Sequence, residues 1–184
     1  MLRKNLLSLV AAGALTTALS MSAFAGGPTT EMPAQQAESG FTLGMNYATF
    51  LNNNFVLLAG YVNDTFLADF GVNYNQFNFN SINRDAWEFR GDLGLRYMLK
   101  DTLFFTYGVN GAYVDLVNAA SPTKAPYAVG GFVGFDFQPL NHLLLSVKVD
   151  PYMYVSHPTN QLGGATSENE VFSNGSIGAS YIFA

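Results

Sequence analysis

The sequence contains no cysteine, only two histidines and a single tryptophan, and charged residues make up 11% of its 184 residues. The absence of cysteine excludes a disulfide framework, thiolate metal sites and a lipid-modified N-terminal cysteine. Basic residues are also scarce, with 8 Lys and Arg against 13 Asp and Glu, and this balance argues against a nucleic-acid partner. After residue 25 there is no apolar stretch long enough for a membrane-spanning helix.

The N-terminus has the three parts of a secretory signal peptide. A basic start, MLRKN, precedes an apolar stretch that ends in the small-residue cleavage pattern AFA. A single membrane helix is the alternative, but the apolar stretch is rich in Gly, Ala, Ser and Thr. We therefore interpret residues 1–25 as a cleaved signal peptide. Residues 26–39 show no periodicity and predict a flexible lead, and residues 40–184 form the folded domain.

Alternating apolar and polar residues dominate this domain. In the segment WEFRGDLGLRYML, Trp87, Phe89 and Leu93 occupy alternate positions, and acids and bases fill most of the gaps. Successive side chains of a strand point to opposite faces, so one face is apolar and the other charged. Eight such segments follow one another, joined alternately by longer polar connections and by tight turns. The longer ones include residues 76–86, 115–125 and 156–169, and the last strand is predicted over residues 171–183.

This pattern predicts an all-β fold, an eight-stranded antiparallel up-and-down transmembrane β-barrel, with its apolar face toward lipid. Aromatic residues on that face support it, because they fall into two bands with an aliphatic waist, as expected at two membrane interfaces. One band comprises Tyr47, Tyr74, Trp87, Tyr113 and Tyr127, and the other Tyr61, Tyr97, Phe137, Tyr181 and Phe183. A soluble β-sheet protein, such as a lipocalin-type barrel, is the alternative, but it requires the opposite polarity.

From about residue 40 to the final SYIF, the chain resembles the small eight-stranded outer-membrane barrels of the OmpA and OmpX type. The resemblance implies export to the outer membrane of a Gram-negative bacterium, contact with outer-membrane lipid and lipopolysaccharide, and insertion by the outer-membrane assembly machinery. That machinery reads a terminal aromatic residue, whereas here Phe183 is followed by Ala184. Barrels of this size include structural anchors, adhesins, lipid A enzymes and narrow, porin-like channels.

The inward positions carry both signs of charge. Eight charged side chains are predicted to face the lumen: Asp69, Glu88, Arg90, Asp92, Arg96, Asp136, Lys148 and Asp150. Phe104, Phe132, Tyr152 and Tyr154 are expected to add inward bulk, and Pro151 predicts either a bulge or the upper end of regular pairing. Because eight strands enclose an interior that side chains fill, we expect a polar plug. A narrow channel for small solutes, opened by breaking contacts of Arg90, Arg96 or Lys148, is the alternative.

Catalytic candidates are few. His157, Thr159 and Glu168 faintly resemble the motif of lipid A 3-O-deacylase barrels, although Thr159 stands where that motif has Ser, and Pro158 intervenes. A polar loop explains the same residues, and His142 is predicted to be a solvated turn residue. We predict no catalytic residue, no cofactor and no metal site. The expected function is structural or a surface interaction, with a partner that the sequence does not identify; a deacylase-like enzyme is the other alternative.

Overall fold

The computed structural model describes residues 38–48, 54–79, 82–117, 125–158, 165–172 and 174–183. Nine strands lie in these ranges: β1 Gly40–Ala48, β2 Asn54–Val62, β3 Phe66–Phe79, β4 Ile82–Lys100, β5 Leu103–Leu116, β6 Tyr127–Leu140, β7 Leu143–Pro158, β8 Ala165–Glu170 and β9 Asn174–Phe183. These ranges contain no helix long and apolar enough to cross a membrane. The predicted signal peptide, and the predicted lead except for Glu38 and Ser39, lie outside them.

The sheet closes into a barrel because β1 pairs antiparallel with both β2 and β9. Phe41, for example, lies opposite Tyr61 on one side and Phe183 on the other. Strand β7 pairs with β6 along one edge, and along its other edge with β9 and then with β8. Strands β8 and β9 therefore share one position, and the ring has eight. This confirms the predicted eight-stranded antiparallel barrel.

The tight turns lie at one end of the barrel, which we call the turn end; the opposite end is the loop end. The turn between β2 and β3 shows why the chain reverses there. The side chain of Asn63 accepts hydrogen bonds from the backbone N–H groups of Thr65 and Phe66, at 2.9 and 2.7 Å. Such Asx turns satisfy backbone donors without a long loop.

The β3–β4 connection is shorter than predicted. Residues 76–86 were expected to form a loop, but β3 continues to Phe79 and β4 starts at Ile82, with these two residues directly paired. The prediction was wrong because the polar residues of NQFNFN obscured a continuing alternation of Phe77 and Phe79. Main-chain pairing extends this hairpin in spite of its polar side chains.

The last strand is also divided differently from the prediction. Residues 165–170, expected to lie in a loop, form β8, and β9 begins at Asn174 rather than at residue 171. Phe172, in the break between the two, has a φ of 48°. This left-handed conformation is unfavourable for a bulky residue and is incompatible with a continuous strand. The break therefore has a local backbone cause.

A bulge in β7 corrects two predicted orientations. Gly131 of β6 pairs with Tyr152, but Val133 pairs with Val149, so β7 has an extra residue around Pro151. Proline has no N–H to donate to the ladder and is found at such bulges. Beyond it the alternation reverses: Met153 and Val155 are buried, whereas Tyr152 is 50% exposed. Tyr152 and Tyr154 therefore face outward, not inward as predicted from uninterrupted alternation.

The barrel has the polarity of a membrane protein. Large apolar side chains cover its outer surface; Phe41, Leu57 and Val109 are each at least 60% exposed. Two buried apolar clusters occupy the interior toward its ends. One contains Ala48, Ala112, Ala128, Met153 and Val155; the other contains Val62, Leu67, Phe132, Leu144 and Ile182. Between and around these clusters the lumen carries the charged side chains.

Candidate functional site: the charged lumen

Most of the charged residues of the inward face are almost completely enclosed. The relative exposure is at most 6% for Glu88, Arg90, Arg96, Asp136, Lys148 and Asp150. The side chains of Asp69 and Asp92 are 17% and 13% exposed. Isolated charges would be costly in such an environment, so their partners determine whether the arrangement is stable.

Lys148 forms the central contact. Its Nζ lies 2.6 Å from Oδ2 of Asp92 and 3.3 Å from Oδ2 of Asp69. Asp69 and Asp92 are direct cross-strand partners on β3 and β4, so their carboxylates would otherwise repel each other. The ammonium also lies 4.8 Å from the centroid of the Phe132 ring, within the range of a cation–π contact. One lysine thus connects two like charges.

Glu88 and Arg90 form a second group nearer the loop end. Nε of Arg90 donates to Oε1 of Glu88 over 2.6 Å, and both side chains are inaccessible to solvent. The amide of Asn54 donates to the other carboxylate oxygen over 3.4 Å, and the amide of Asn75 donates to Asn54. The ion pair therefore continues into a hydrogen-bonded chain that links β4 with β2 and β3.

Arg96 forms a third group at the turn end. Its Nε lies 3.1 Å from Oδ2 of Asp136, and one Nη donates to the backbone carbonyl of Asn63 over 2.6 Å. The guanidinium also lies 3.8 Å from the ring centroid of Phe104. The other Nη is 3.5 Å from Oε1 of the buried Gln138. This group connects β4 and β6 with the β2–β3 turn.

Asp150 has an amide partner, because Nδ2 of Asn110 donates to its Oδ1 over 2.6 Å. Asn46, Asn110 and Lys148 contribute to the walls of a cavity of about 10 Å³ in the lumen. A cavity of this size holds about one water molecule.

Sequence reasoning missed the uncharged members of these groups. Asn54, Asn110 and Gln138 are buried and contact charged side chains. All three lie on inward positions, but a neutral amide gives no charge signal in the sequence. Asn110 could have been identified from its position, because it is an amide on an inward position at the same height in the barrel as an inward charge.

His142 has a partner that the sequence did not indicate. Its side chain is 51% exposed in the β6–β7 turn, and Nδ1 lies 2.8 Å from Oε2 of Glu38. The backbone carbonyl of Glu38 also accepts a hydrogen bond from Gln138 over 3.1 Å. Glu38, two residues ahead of β1, therefore contacts the turn end of the barrel.

The predicted aromatic residues face outward in two groups. At the loop end, the rings of Tyr74 and Trp87 are 4.9 Å apart, and at the turn end those of Tyr181 and Phe183 are 4.8 Å apart. Exposure is between 38% and 66% for Tyr61, Tyr74, Trp87, Tyr97, Tyr113, Tyr127, Tyr181 and Phe183. Tyr47 and Phe137 are partly exposed.

The three catalytic candidates are not shown to converge. His157 lies in β7 opposite Thr166, and Glu168 lies opposite Val155. Thr159 is outside the described residues, as is the side chain of His157. Within the part of the chain that the structure describes, no group of His, Asp and Glu residues could hold a metal ion.

Comparison with known proteins finds relatives by structure only. No protein-family model matches the sequence, and no curated protein sequence matches it. Among solved structures, outer membrane protein H (OprH) from P. aeruginosa has 15% identity and a TM-score of 0.48, over 78% of this chain and 99% of that one. Neisserial surface protein A (NspA) has 18% identity and a TM-score of 0.41, over 78% and 94%. Ail of Yersinia pestis has 14% identity and a TM-score of 0.42, over 81% and 100%.

These identities describe a likeness of fold alone. The closed eight-stranded barrel confirms the resemblance to small outer-membrane barrels at the level of architecture.

Proposed function

We propose that this chain is an integral outer-membrane barrel whose lumen is plugged by its own side chains, with a structural or surface-interaction role and no catalytic activity. In this proposal residues 1–25 direct export and are cleaved, residues 26–39 form a periplasmic lead, and residues 40–184 span the membrane. Its surroundings are outer-membrane lipid and lipopolysaccharide, and the assembly machinery inserts it through its C-terminal strand.

The Lys148 contact is the observation that carries the plug. In a ring of eight positions, β7 lies opposite β3, so Lys148 reaches across the lumen to Asp69 and Asp92. Opposite charges a few ångströms apart, in surroundings less polar than water, attract far more strongly than in bulk. Separating them leaves desolvated ions, which favours a closed resting state.

The length of strands β3 and β4 supports a surface role. A tilted strand crosses a membrane with about 9–11 residues, whereas β3 has 14 residues and β4 has 19. Pairing between β2 and β3 ends at Leu57 and Val72, and pairing between β4 and β5 ends at Ala86 and Leu116. Beyond these pairs β3 and β4 continue, paired with each other, to Phe79 and Ile82; we call this segment the β3–β4 arm. β3 still contacts β2 through the side chains of Asn75 and Asn54, and the backbone N–H of Val117 donates to the carbonyl of Asp85. Within the described ranges, strand contacts with β2 and β5 are shown only up to these residues.

An outward arm of this kind offers main-chain donors and acceptors to a partner on the cell surface. We place the β3–β4 arm, the β5–β6 connection and β8 outside the cell, with the lead and the C-terminus in the periplasm.

Planar-bilayer recording tests the plug. The purified wild-type protein is expected to be silent or to show rare, small openings. Arg96→Ala is expected to open more often, because Asp136 and Gln138 lose their cationic partner. Steady, large conductance from the wild-type protein would overturn the plug and favour the narrow channel.

A further inference from the structure

A groove of about 850 Å³ crosses the outer, lipid-facing surface of the barrel. Its floor includes outward positions with small residues: Ala59 on β2, Ala68 on β3, Gly91 on β4 and Gly111 on β5. Its walls include the exposed side chains of Phe41, Phe70, Leu93 and Val109. The groove runs obliquely from the turn-end aromatic residues Tyr61 and Phe183 to the middle of β5. Asp69, Asp92 and Asn110, inward residues of the same strands, also belong to its lining.

Of the three glycines along the groove, Gly91 is not required by the packing of the barrel itself, whereas a Cβ on Gly60 would lie 2.3 Å from the carboxylate of Asp69 and one on Gly111 3.2 Å from the carbonyl of Ala128. Inside the barrel, a Cβ on Gly108 would lie 2.1 Å from the carbonyl of Leu93, and one on Gly44 would lie 2.2 Å from that of Ala179, so glycine is obligatory there. On Gly91 a Cβ would meet nothing closer than 3.8 Å. Glycine within a strand also weakens it. Glycine at Gly91 leaves the backbone of β4 open to close approach by an external group.

We propose that this groove holds one acyl chain of a phospholipid as a bound lipid. The groove is continuous with the surface that the barrel presents to hydrocarbon, so the lipid that surrounds this surface is also its nearest occupant. Its walls are apolar and aromatic, and its oblique course over neighbouring strands suits a flexible chain. Its lower end lies at the turn-end aromatic band, which the proposed orientation places in the periplasmic leaflet, where phospholipids are the lipid class.

Filling the groove provides the test, with an outward glycine beside it as the control. Gly91→Leu and Gly111→Leu, combined, place two side chains on the floor of the groove. Gly131→Leu places one on the same outer surface of β6, on the far side of its cross-strand partner Val109, at a position that does not itself line the groove. The steric demands are matched, because a Cβ would lie 3.2 Å from the nearest atom at Gly111 and 3.3 Å at Gly131. Heat-dependent electrophoretic mobility confirms that each variant folds.

The measurement has two parts: native mass spectrometry of the folded protein purified from phosphatidylethanolamine vesicles, and the immobilised fraction of a spin-labelled phosphatidylcholine chain in nanodiscs. Wild type and Gly131→Leu are expected to retain one phospholipid per barrel and to immobilise the label. The doubly filled variant is expected to retain at least about tenfold less.

Equal retention by the filled variant, or no retained lipid in wild type, would overturn the proposal. If the wild-type protein retains no lipid but forms a dimer that the filled variant does not form, the proposal is overturned and a second copy of this chain occupies the groove. Neither measurement depends on the plug or on the orientation, because nanodiscs offer phospholipid from both sides.

Discussion

Replacement of Lys148 by methionine removes the charge at the centre of the lumen and keeps an unbranched side chain of similar length. Asp69 and Asp92 then face each other as direct cross-strand partners, without the ammonium that lies 3.3 and 2.6 Å from them. Loss of one partner from a buried ion pair costs about 3–5 kcal/mol, because a desolvated charge is left behind. We expect Lys148→Met to lower the free energy of unfolding by about this amount.

A triple variant separates charge from packing. Lys148→Met combined with Asp69→Asn and Asp92→Asn leaves no charge in this group and gives up the cation–π contact with Phe132 just as the single variant does. Because neutral replacement of a whole buried group is often tolerated, this variant is expected to recover most of the lost stability. The assay is urea unfolding of the protein in lipid vesicles, followed by the fluorescence of Trp87, the single tryptophan. A loss below about 1 kcal/mol for Lys148→Met, the value of an exposed pair, would refute the reasoning. So would a triple variant no more stable than the single one.

Further predictions concern the two faces and the two ends of the barrel. Leu95 is 49% exposed on the outer surface. Leu95→Arg is expected to lower the free energy of unfolding by roughly 1–4 kcal/mol, depending on its depth in the bilayer, as measured by refolding titrations in vesicles. Ser146→Arg, on the inward face, acts by crowding instead, and unchanged stability of Leu95→Arg would contradict the outward placement. Epitope tags within residues 76–86, 115–125 and 156–169 are expected to bind antibody on intact cells, and tags at residues 63–65 or 100–102 are not. Asn110→Leu leaves Asp150 without the amide that donates to it over 2.6 Å, and chemical denaturation is expected to show a loss of about 1–3 kcal/mol; Asn110→Asp retains an oxygen but adds repulsion, so rescue by it would contradict this role.

The sequence predicts the barrel well because a period of two is a local property. Phe89, Leu93 and Leu95 alternate with charges within one strand, and no distant contact is needed to interpret them. The prediction fails where the backbone departs from regularity. The bulge at Pro151 was anticipated, but its effect on Tyr152 was not, since one extra residue reverses every later side chain. The break at Phe172 depends on a left-handed φ, which a bulky side chain does not signal in advance.

The sequence did not predict which charged residues contact each other. Both signs of inward charge were evident, but pairing depends on how far each strand is staggered against the next. Lys148 contacts residues 79 and 56 positions away in the chain. The buried amides carry no charge signal, and the contact between Glu38 and His142 joins the predicted lead to the distant β6–β7 turn. Such contacts follow from closure of the ring rather than from any single strand.

The orientation of strand β4 is tested most directly by a spin-label scan through residues 91–96, for which the natural chain without cysteine is a clean background. Each position is replaced in turn by a labelled cysteine in the barrel reconstituted in vesicles, and collision rates with oxygen and with a water-soluble nickel complex are measured. The structure predicts high oxygen accessibility and low accessibility to the nickel complex at positions 91, 93 and 95, and lower oxygen accessibility at the inward positions 92, 94 and 96. High accessibility to the nickel complex at positions 93 and 95, without lower oxygen accessibility at the inward positions, would contradict a barrel that presents its apolar face to lipid and encloses its charges.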